Sequence, residues 1–135
     1  MLLFLASLVS CATQYSLSRH GSQSLSSHFK VREFACKDGS DYILIDHRLV
    51  DLLEKIRNHF GRPVHITSAY RNPSYNRQIG GASDSQHCKG TAADITVSGV
   101  SPSEVYKYAH QICKGGVGKY SGFTHVDVRD YYSRW

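Results

Sequence analysis

The sequence predicts a single domain that contains both helices and strands. Residues 46–60 and 101–112 repeat apolar side chains at helical spacing. Residues 92–97 and 123–128 instead alternate between apolar and polar side chains, which is typical of strands with one buried face. The chain has 135 residues, enough for one hydrophobic core but too few for two separate ones.

The helix predicted over 46–60 is the clearest single element. Asp46 is placed to cap its start, while Gly61 and Pro63 end it. Its apolar side chains fall on one stripe, made of Leu49, Leu52, Leu53, Ile56 and Phe60. The second helix has Pro102 at its first position, where a missing N–H group costs nothing.

Shorter elements are predicted between and after the two helices. Residues 63–69 are rich in β-branched side chains and predict a strand. A turn follows at 70–73, and residues 74–79 predict a short helix that Gly80 and Gly81 end. The glycine-rich run 115–120 is compatible with a strand, and it lacks the Gly-Lys-Ser/Thr ending of a phosphate-binding loop.

The first 27 positions differ in composition from the rest of the chain. Residues 1–11 are mostly apolar, are too short to span a bilayer as a helix, and resemble part of a signal peptide. They end in a lipobox-like sequence at Cys11, which predicts export to the cell envelope or periplasm and a lipid anchor there. Residues 12–27 are rich in serine and predict a flexible tether, so the folded domain is expected to cover 28–135.

Composition and charge narrow the classes of partner. With 41% hydrophobic and 20% charged residues the chain has the composition of a globular protein. Its formal net charge of +5 favours an anionic partner, but it has no nucleic-acid-binding motif, so we expect no nucleic acid partner. The four cysteines form no CxxC pair, and Cys36 with Cys113 is a candidate disulfide in an exported protein.

Three side chains have the chemistry and the placement of a metal site. His87 precedes Asp94 by seven residues, and His125 lies in the final strand. Strand alternation sends Ile95 and Val126 into the core and therefore turns Asp94 and His125 towards the opposite face. Two imidazoles and a carboxylate suit a zinc ion with one position open for water. The sequence thus predicts a zinc hydrolase with one ion per chain.

Such an enzyme also needs a base to accept the proton of water and a cation beside the substrate. Asp127 is the candidate base, because it follows His125 by two residues and shares its strand face. Its competing roles are support of the zinc ligand and an ion pair with Arg129. Arg71, at the end of the strand predicted over 63–69, is the candidate cation.

Taken in order, these motifs resemble the zinc D-Ala-D-Ala carboxypeptidase family of metallopeptidases, which includes peptidoglycan endopeptidases. The resemblance covers residues 28–135. It is carried by Phe29, Glu33-Phe34, Ser68-Ala69-Tyr70-Arg71-Asn72-Pro73, Gly80-Gly81, Ser85-x-His87-x-x-Gly90-x-Ala92-x-Asp94 and His125-x-Asp127.

The resemblance implies an α+β fold of the hedgehog/DD-peptidase type, with a small antiparallel sheet flanked by helices. It implies cleavage of peptide bonds in bacterial peptidoglycan stems or cross-links, and we expect the enzyme to be a monomer. By the same resemblance the substrate contacts Arg71 and Ser85, and the zinc ion is held by His87, Asp94 and His125. Several relatives carry an acidic base three residues before the last zinc histidine, where this chain has Gly122.

The sequence leaves other functions open. A non-catalytic peptidoglycan-binding module would keep the zinc as a structural ion. His125-x-Asp127 with a distant histidine is also similar to the site of non-haem iron oxygenases, although the order of the ligands is reversed. The scissile bond is open among a terminal D-Ala, a D-Ala cross-link and a stem bond such as L-Ala-D-Glu. A phage-derived lysis enzyme is the alternative to an enzyme of the host envelope.

Overall fold

The structure, a computed structural model, describes residues 12–135 and is a mixed α+β fold over that range, as the sequence predicts. Its strands are β1 (Ala12–Ser16), β2 (Tyr42–Asp46), β3 (Val64–Ser68), β4 (Ala92–Val97), β5 (Gly116–Lys119), β6 (Thr124–Asp127) and β7 (Ser133–Arg134). Its helices are α1 (Leu17–His20), α2 (His47–Phe60), α3 (Pro73–Gln78) and α4 (Pro102–Ile112), with 3-10 turns at Val31–Phe34 and Gln86–Lys89. Between residues 12 and 135, no helix combines the length and the apolar character that crossing a membrane requires.

Five strands form the main sheet, in the order β3-β4-β6-β5-β7. The first four are antiparallel to their neighbours, which agrees with the predicted antiparallel sheet, whereas β7 runs parallel to β5. The sequence did not predict β7, because a strand of two residues shows no periodic pattern. Strands β4 and β6 are central, and their register sets Asp94 directly opposite His125.

The predicted first helix is confirmed as α2. The Asp46 side chain accepts a hydrogen bond from the Arg48 backbone N–H at 2.9 Å, and Gly61 ends the helix with a left-handed φ of 63°. The buried side of α2 consists of Leu49, Val50, Leu52, Leu53 and Ile56. These side chains belong to the same core as Ile95 of β4, so the helix covers the face of the sheet opposite the predicted metal ligands.

Residues 12–27 do not form the flexible tether that their serine-rich composition predicts. Strand β1 pairs along its whole length with β2 in a separate two-stranded sheet, and Tyr15 is buried in the core. The Leu17 backbone N–H donates to the Asp41 carbonyl at 2.8 Å, so the hydrogen bonding between the two segments continues beyond the end of β1. The prediction failed because long-range pairing with β2 overrides local composition. The signal-like segment and the lipobox at Cys11 lie outside the described residues.

Glu54 of α2 holds the following segment in place. Its carboxylate accepts hydrogen bonds from the Ser26 hydroxyl at 2.6 Å, from the His28 backbone N–H at 2.8 Å and from His28 Nδ1 at 2.8 Å. Burial raises the pKa of Glu54, but these hydrogen bonds outweigh it and place the pKa below its ordinary value of 4.5. The ionised form is therefore more stable in the folded chain than in the unfolded one.

We expect Glu54→Gln to lower the free energy of unfolding at pH 7 by about 1 kcal/mol, because a neutral amide accepts these hydrogen bonds more weakly. A carboxyl with a depressed pKa stabilises the fold above its unfolded pKa and loses that effect as the pH falls through its folded pKa. The difference between the two proteins should therefore shrink below about pH 4.5. Urea denaturation of both proteins at several pH values measures this difference in the free energy of unfolding. A difference that does not change with pH would contradict the stabilising role of the ionised Glu54 carboxylate.

Cys36 and Cys113, the pair that the sequence offered as a disulfide, are both free thiols in the structure. Cys36 lies beside Asn72, with Sγ 3.6 Å from Nδ2. Cys113 instead lies against the backbone carbonyls of Gly116 and Asp127. Burial raises the pKa of the Cys113 thiol, which keeps it protonated and poorly reactive.

Candidate metal centre

The pairing of β4 with β6 brings two of the predicted ligands into contact. Asp94 and His125 face each other across the two strands, and His125 Nδ1 lies 2.9 Å from Asp94 Oδ1. Both residues are buried, at 6% and 7% exposure, although they lie on the face of the sheet away from the apolar core. Strand alternation therefore predicted their direction correctly, and the register supplies their separation.

His87 reaches the same point from the 3-10 turn Gln86–Lys89. The Ser85 side chain caps this turn by accepting a hydrogen bond from the His87 backbone N–H at 3.2 Å. On the ring, His87 Nδ1 donates to the Ala69 carbonyl oxygen at 2.7 Å. The other ring nitrogen, Nε2, lies 3.3 Å from Asp94 Oδ1. The carbonyl thus sets the tautomer and leaves Nε2 as the nitrogen that faces the centre.

Gly90 allows the turn that carries His87 to lie against β2. It ends the turn with a left-handed φ of 73°, and a Cβ at this position would lie 2.6 Å from the Leu44 carbonyl oxygen. The Gly90 carbonyl in turn accepts a hydrogen bond from the Asp46 backbone N–H at 2.9 Å. Both the backbone conformation and the close approach require glycine.

We expect Gly90→Ala to lower the free energy of unfolding by about 2 kcal/mol or more. The cost of a left-handed backbone at alanine adds to the cost of the overlap between its Cβ and the backbone of β2. Gly39→Ala is the matched control: its φ of 83° is also left-handed, but a Cβ there meets nothing within 4 Å. Denaturant unfolding of both variants separates the cost of the overlap from the cost of the conformation. Equal losses in the two variants would show that contact with β2 is unimportant.

Asp127 holds His125 from the side away from the centre. Its Oδ2 lies 2.8 Å from His125 Nε2 and accepts a second hydrogen bond from Arg129 Nη2 at 2.7 Å. Its Oδ1 accepts from the Gly116 backbone N–H at 2.8 Å and from Arg129 Nε at 2.9 Å. Asp127 is fully buried and is not among the residues that line the cleft. It therefore fixes the ring of His125 and does not reach the open space in front of it.

The donor set fits a divalent metal ion. One ligand atom from each of His87, Asp94 and His125 lies within 4.8 Å of the others. The Ala69 carbonyl and the Asp127 carboxylate each accept a hydrogen bond from the far side of a ring. Each imidazole can therefore donate to Asp94 only when it is protonated, and in its neutral form it turns a lone pair towards Asp94. Three acceptor atoms then face one another, an arrangement that a cation between them would stabilise. Two nitrogens and one carboxylate oxygen are ligands that zinc accepts.

The charges around the centre also favour a cation. Burial raises the pKa of Asp94, but hydrogen bonds from His125 and His87 outweigh it and hold that pKa well below its usual range. Burial also raises the pKa of Asp127. Its hydrogen bonds with His125 and Arg129 outweigh that effect and hold the pKa of Asp127 well below its usual range. Both carboxyls are therefore ionised at neutral pH, and they supply the negative charge that a metal ion needs.

Arg71, the candidate cation, lies beside the candidate ligands. Its Nη2 is 3.3 Å from Asp94 Oδ2, its Nε donates to Ser68 Oγ at 3.1 Å, and its Nη1 donates to Asn76 Oδ1 at 3.3 Å. Arg71 and Ser85 both line the cleft in front of the three ligands. The structure thus brings the proposed metal ligands and both proposed substrate-binding residues to one place.

The cleft has a volume of about 580 Å³, and His87, Asp94 and His125 lie in its wall. Loop residues 79–86 form one side, and aromatic side chains from the carboxyl-terminal part of the chain form another. Among these, the Trp135 ring lies 5.1 Å from the His125 ring, and Trp135 Nε1 donates to the Tyr120 hydroxyl at 2.9 Å. A peptide chain fits an open cleft of this size.

The sequence analysis missed Trp135, Tyr120 and Asn76. One signal for the aromatic wall was present in the glycine-rich run 115–120, because a Cβ at Gly118 would overlap the Trp135 indole. A glycine beside an alternating strand indicates a close approach, but it does not show which residue approaches. Gly122, at the position where the family resemblance implies an acidic base, lies in the loop after β5, where a Cβ would meet nothing within 4 Å.

Comparison with known proteins agrees with this geometry. Residues 27–127 match the Peptidase M15 family. The chain belongs to that family. The M15 match begins one residue before the predicted start of the domain at His28 and includes all three ligands of the candidate metal centre.

Individual relatives of this M15 chain are peptidoglycan enzymes by name. The Peptidoglycan L,D-endopeptidase MepK of Escherichia coli (strain K12) is 36% identical to it over 93 residues, which cover 62% of this chain and 51% of the relative. The protein of the same name from Shigella flexneri gives the same values. The chain thus spans about half the length of the curated relatives it matches.

Proposed function

We propose that this M15 chain is a zinc-dependent peptidase that cleaves peptide bonds of bacterial peptidoglycan. The observation that carries the proposal is the buried cluster of His87, Asp94 and His125 in the wall of an open cleft, with Arg71 beside it. A purely structural zinc site is normally closed by four protein ligands, whereas three ligands beside a cleft leave a position for water.

Each residue of the centre has a role that its contacts support. His87, Asp94 and His125 would hold the zinc ion, which when bound lowers the pKa of water and polarises a carbonyl. Arg71 is the cation that binds and orients the substrate, because it lies in the cleft wall with a fixed guanidinium. Ser85 lines the same cleft and, through its cap of the turn, also orients His87.

The sequence left three roles open for Asp127: base, support of the zinc ligand and ion pair with Arg129. Its contacts support positioning of His125 together with the ion pair. Its carboxylate is occupied by His125, Arg129 and the Gly116 N–H group, and it does not line the cleft. Among the described cleft residues the other carboxylate besides Asp94 belongs to Asp84, which is exposed at the rim. Because it lines the cleft, we propose Asp84 as the acidic group that exchanges a proton with a bound substrate.

The name shared by the relatives favours one kind of bond. We propose an L,D-endopeptidase specificity, which is narrower than the choice of bonds that the sequence left open, because the matched relatives are named as L,D-endopeptidases. A peptidoglycan substrate places the enzyme in the cell envelope. Export through residues 1–11, with or without a lipid on Cys11, remains part of this proposal.

Digestion of purified peptidoglycan tests the function. Zinc-loaded wild-type protein should release new fragments whose masses identify the bond, and His87→Ala should release none. Fragments ending at a D-Ala-D-Ala bond would reject the proposed specificity while keeping the peptidase. If the wild-type protein binds peptidoglycan and releases no fragments, the chain is a binding module and the proposed enzymatic function is wrong.

A further inference from the structure

Asn76 of α3 links Arg71 to the loop at the cleft rim. It is only 2% exposed. Its Oδ1 accepts a hydrogen bond from Arg71 Nη1 at 3.3 Å, and its Nδ2 donates to the Ala82 carbonyl oxygen at 2.8 Å. Its backbone carbonyl also accepts from the Gly81 N–H group at 2.8 Å. A buried amide with both ends paired has one stable orientation, so it holds its partners in fixed positions.

The Arg71 guanidinium is held at three of its nitrogens. Nε donates to Ser68 Oγ, Nη1 to Asn76 Oδ1 and Nη2 to Asp94 Oδ2. Because the group is planar and rigid, three contacts define both its position and the tilt of its plane. Each of Nη1 and Nη2 retains a second N–H group, and this pair matches the two oxygens of a carboxylate or a single carbonyl oxygen.

Removal of the Asn76 amide would leave this plane poorly defined. Ser68 and Asp94 would hold Nε and Nη2, while Nη1 would lose its acceptor. Gly81 belongs to the same arrangement, because a Cβ there would overlap the Asn76 amide. The Gly80-Gly81 pair therefore does more than end α3: its second glycine makes room for the side chain that orients Arg71.

We propose that Asn76 is a positioning residue, which fixes the Arg71 guanidinium so that its free N–H groups bind a carboxylate or carbonyl oxygen of the peptide substrate. The inference rests on the proposed peptidase function for the identity of the ligand. The contact between the two side chains is independent of that function, so one arm of the test needs no catalysis.

The first arm is a double-mutant cycle on zinc-loaded protein with soluble muropeptides as substrate. Asn76→Leu should raise KM by about tenfold and leave kcat within about twofold, since the loss of one charged hydrogen bond to Arg71 weakens substrate binding. In an Arg71→Ala background the same change should cost less than about twofold in kcat/KM, because Asn76 then has nothing to position. An equal loss in both backgrounds would overturn the proposal and indicate a merely structural role.

The second arm measures rotation about the Arg71 Nε–Cζ bond by NMR, with the signal assigned by its disappearance in Arg71→Lys. Rotation should be several-fold faster in Asn76→Leu than in the wild type. Unchanged rotation would overturn the proposal even if the wild-type protein cleaves nothing. Asn76→Ala is measured in parallel. It adds no bulk beside Gly81, so it can replace the leucine variant if that variant fails to fold. Asn58→Leu, at an exposed position of α2, is the matched control and should change neither readout.

Discussion

Replacing His125 with alanine is expected to remove the bound zinc ion and to lower peptidoglycan cleavage by at least about 1,000-fold, since metal polarisation of the reacting groups contributes several kcal/mol. His125 supplies one of only two nitrogen donors among the described residues of the cluster. Its ring also separates Asp94 from Asp127, with 2.9 Å to one carboxylate and 2.8 Å to the other. Without the ring these two ionised groups lose a shared partner, and the centre loses its geometry.

The zinc content of the purified protein and the rate of fragment release measure this effect together. His65→Ala is the matched control, because His65 is an exposed histidine of β3 whose Nε2 lies 2.9 Å from the Ser98 hydroxyl oxygen. The control should keep both the metal and the activity. A His125→Ala protein that still cleaves peptidoglycan at the wild-type rate would exclude this cluster as the catalytic centre.

Asp127→Asn is expected to weaken zinc binding by about 10- to 100-fold, the usual effect of losing a carboxylate that orients a metal-binding histidine. An amide is a weaker acceptor for His125 Nε2, and it leaves the adjacent Arg129 guanidinium without its buried counter-charge. The rotation and the tautomer of the His125 ring then become less well defined. Activity at low zinc concentration should fall with metal occupancy.

A zinc titration of activity separates the two roles considered for Asp127. If it positions His125, saturating zinc should restore most of the activity of Asp127→Asn. If it is instead the base, activity should stay low at saturating zinc while the affinity for the metal is unchanged. Asp130→Asn is the control, because the side chain of Asp130 is 81% exposed and its contact with Arg48 at 3.7 Å is at the surface.

Much of the fold follows from local patterns in the sequence. The apolar stripe, the aspartate cap and the terminal glycine predicted α2 almost to the residue, since all three signals lie within one helix length. Alternation in β4 and β6 also predicted that Asp94 and His125 leave the core on the same face. Local patterns failed to predict β1. Its polar sequence indicated a flexible segment, but the strand is stabilised by its pairing with residues 42–46.

The residues that orient the site were harder to predict. Asn76 contacts Arg71 and Ala82 on either side of its short helix, and Trp135 contacts His125 of β6. Neither residue belongs to a periodic pattern that would predict these contacts. A buried asparagine in a short helix looks like an ordinary surface residue until its partners are known. The Ala69 carbonyl that sets the tautomer of His87 has no sequence signal at all, because every residue carries a backbone carbonyl.

The sequence by itself selected the candidate ligands, because residue type, spacing and strand alternation are properties of the chain. Only the tertiary structure provides contacts that favour one of the roles proposed for Asp127. Asp127 follows His125 by two residues, so both side chains lie on the same face of the strand. This placement is compatible with a general base and equally with a residue that orients the His125 ring. The contacts of its carboxylate with Arg129 and the Gly116 N–H group place it behind the imidazole. Arg129 is a neighbour along the chain, which the sequence already offered as a partner, whereas Gly116 reaches Asp127 only through the pairing of β5 with β6.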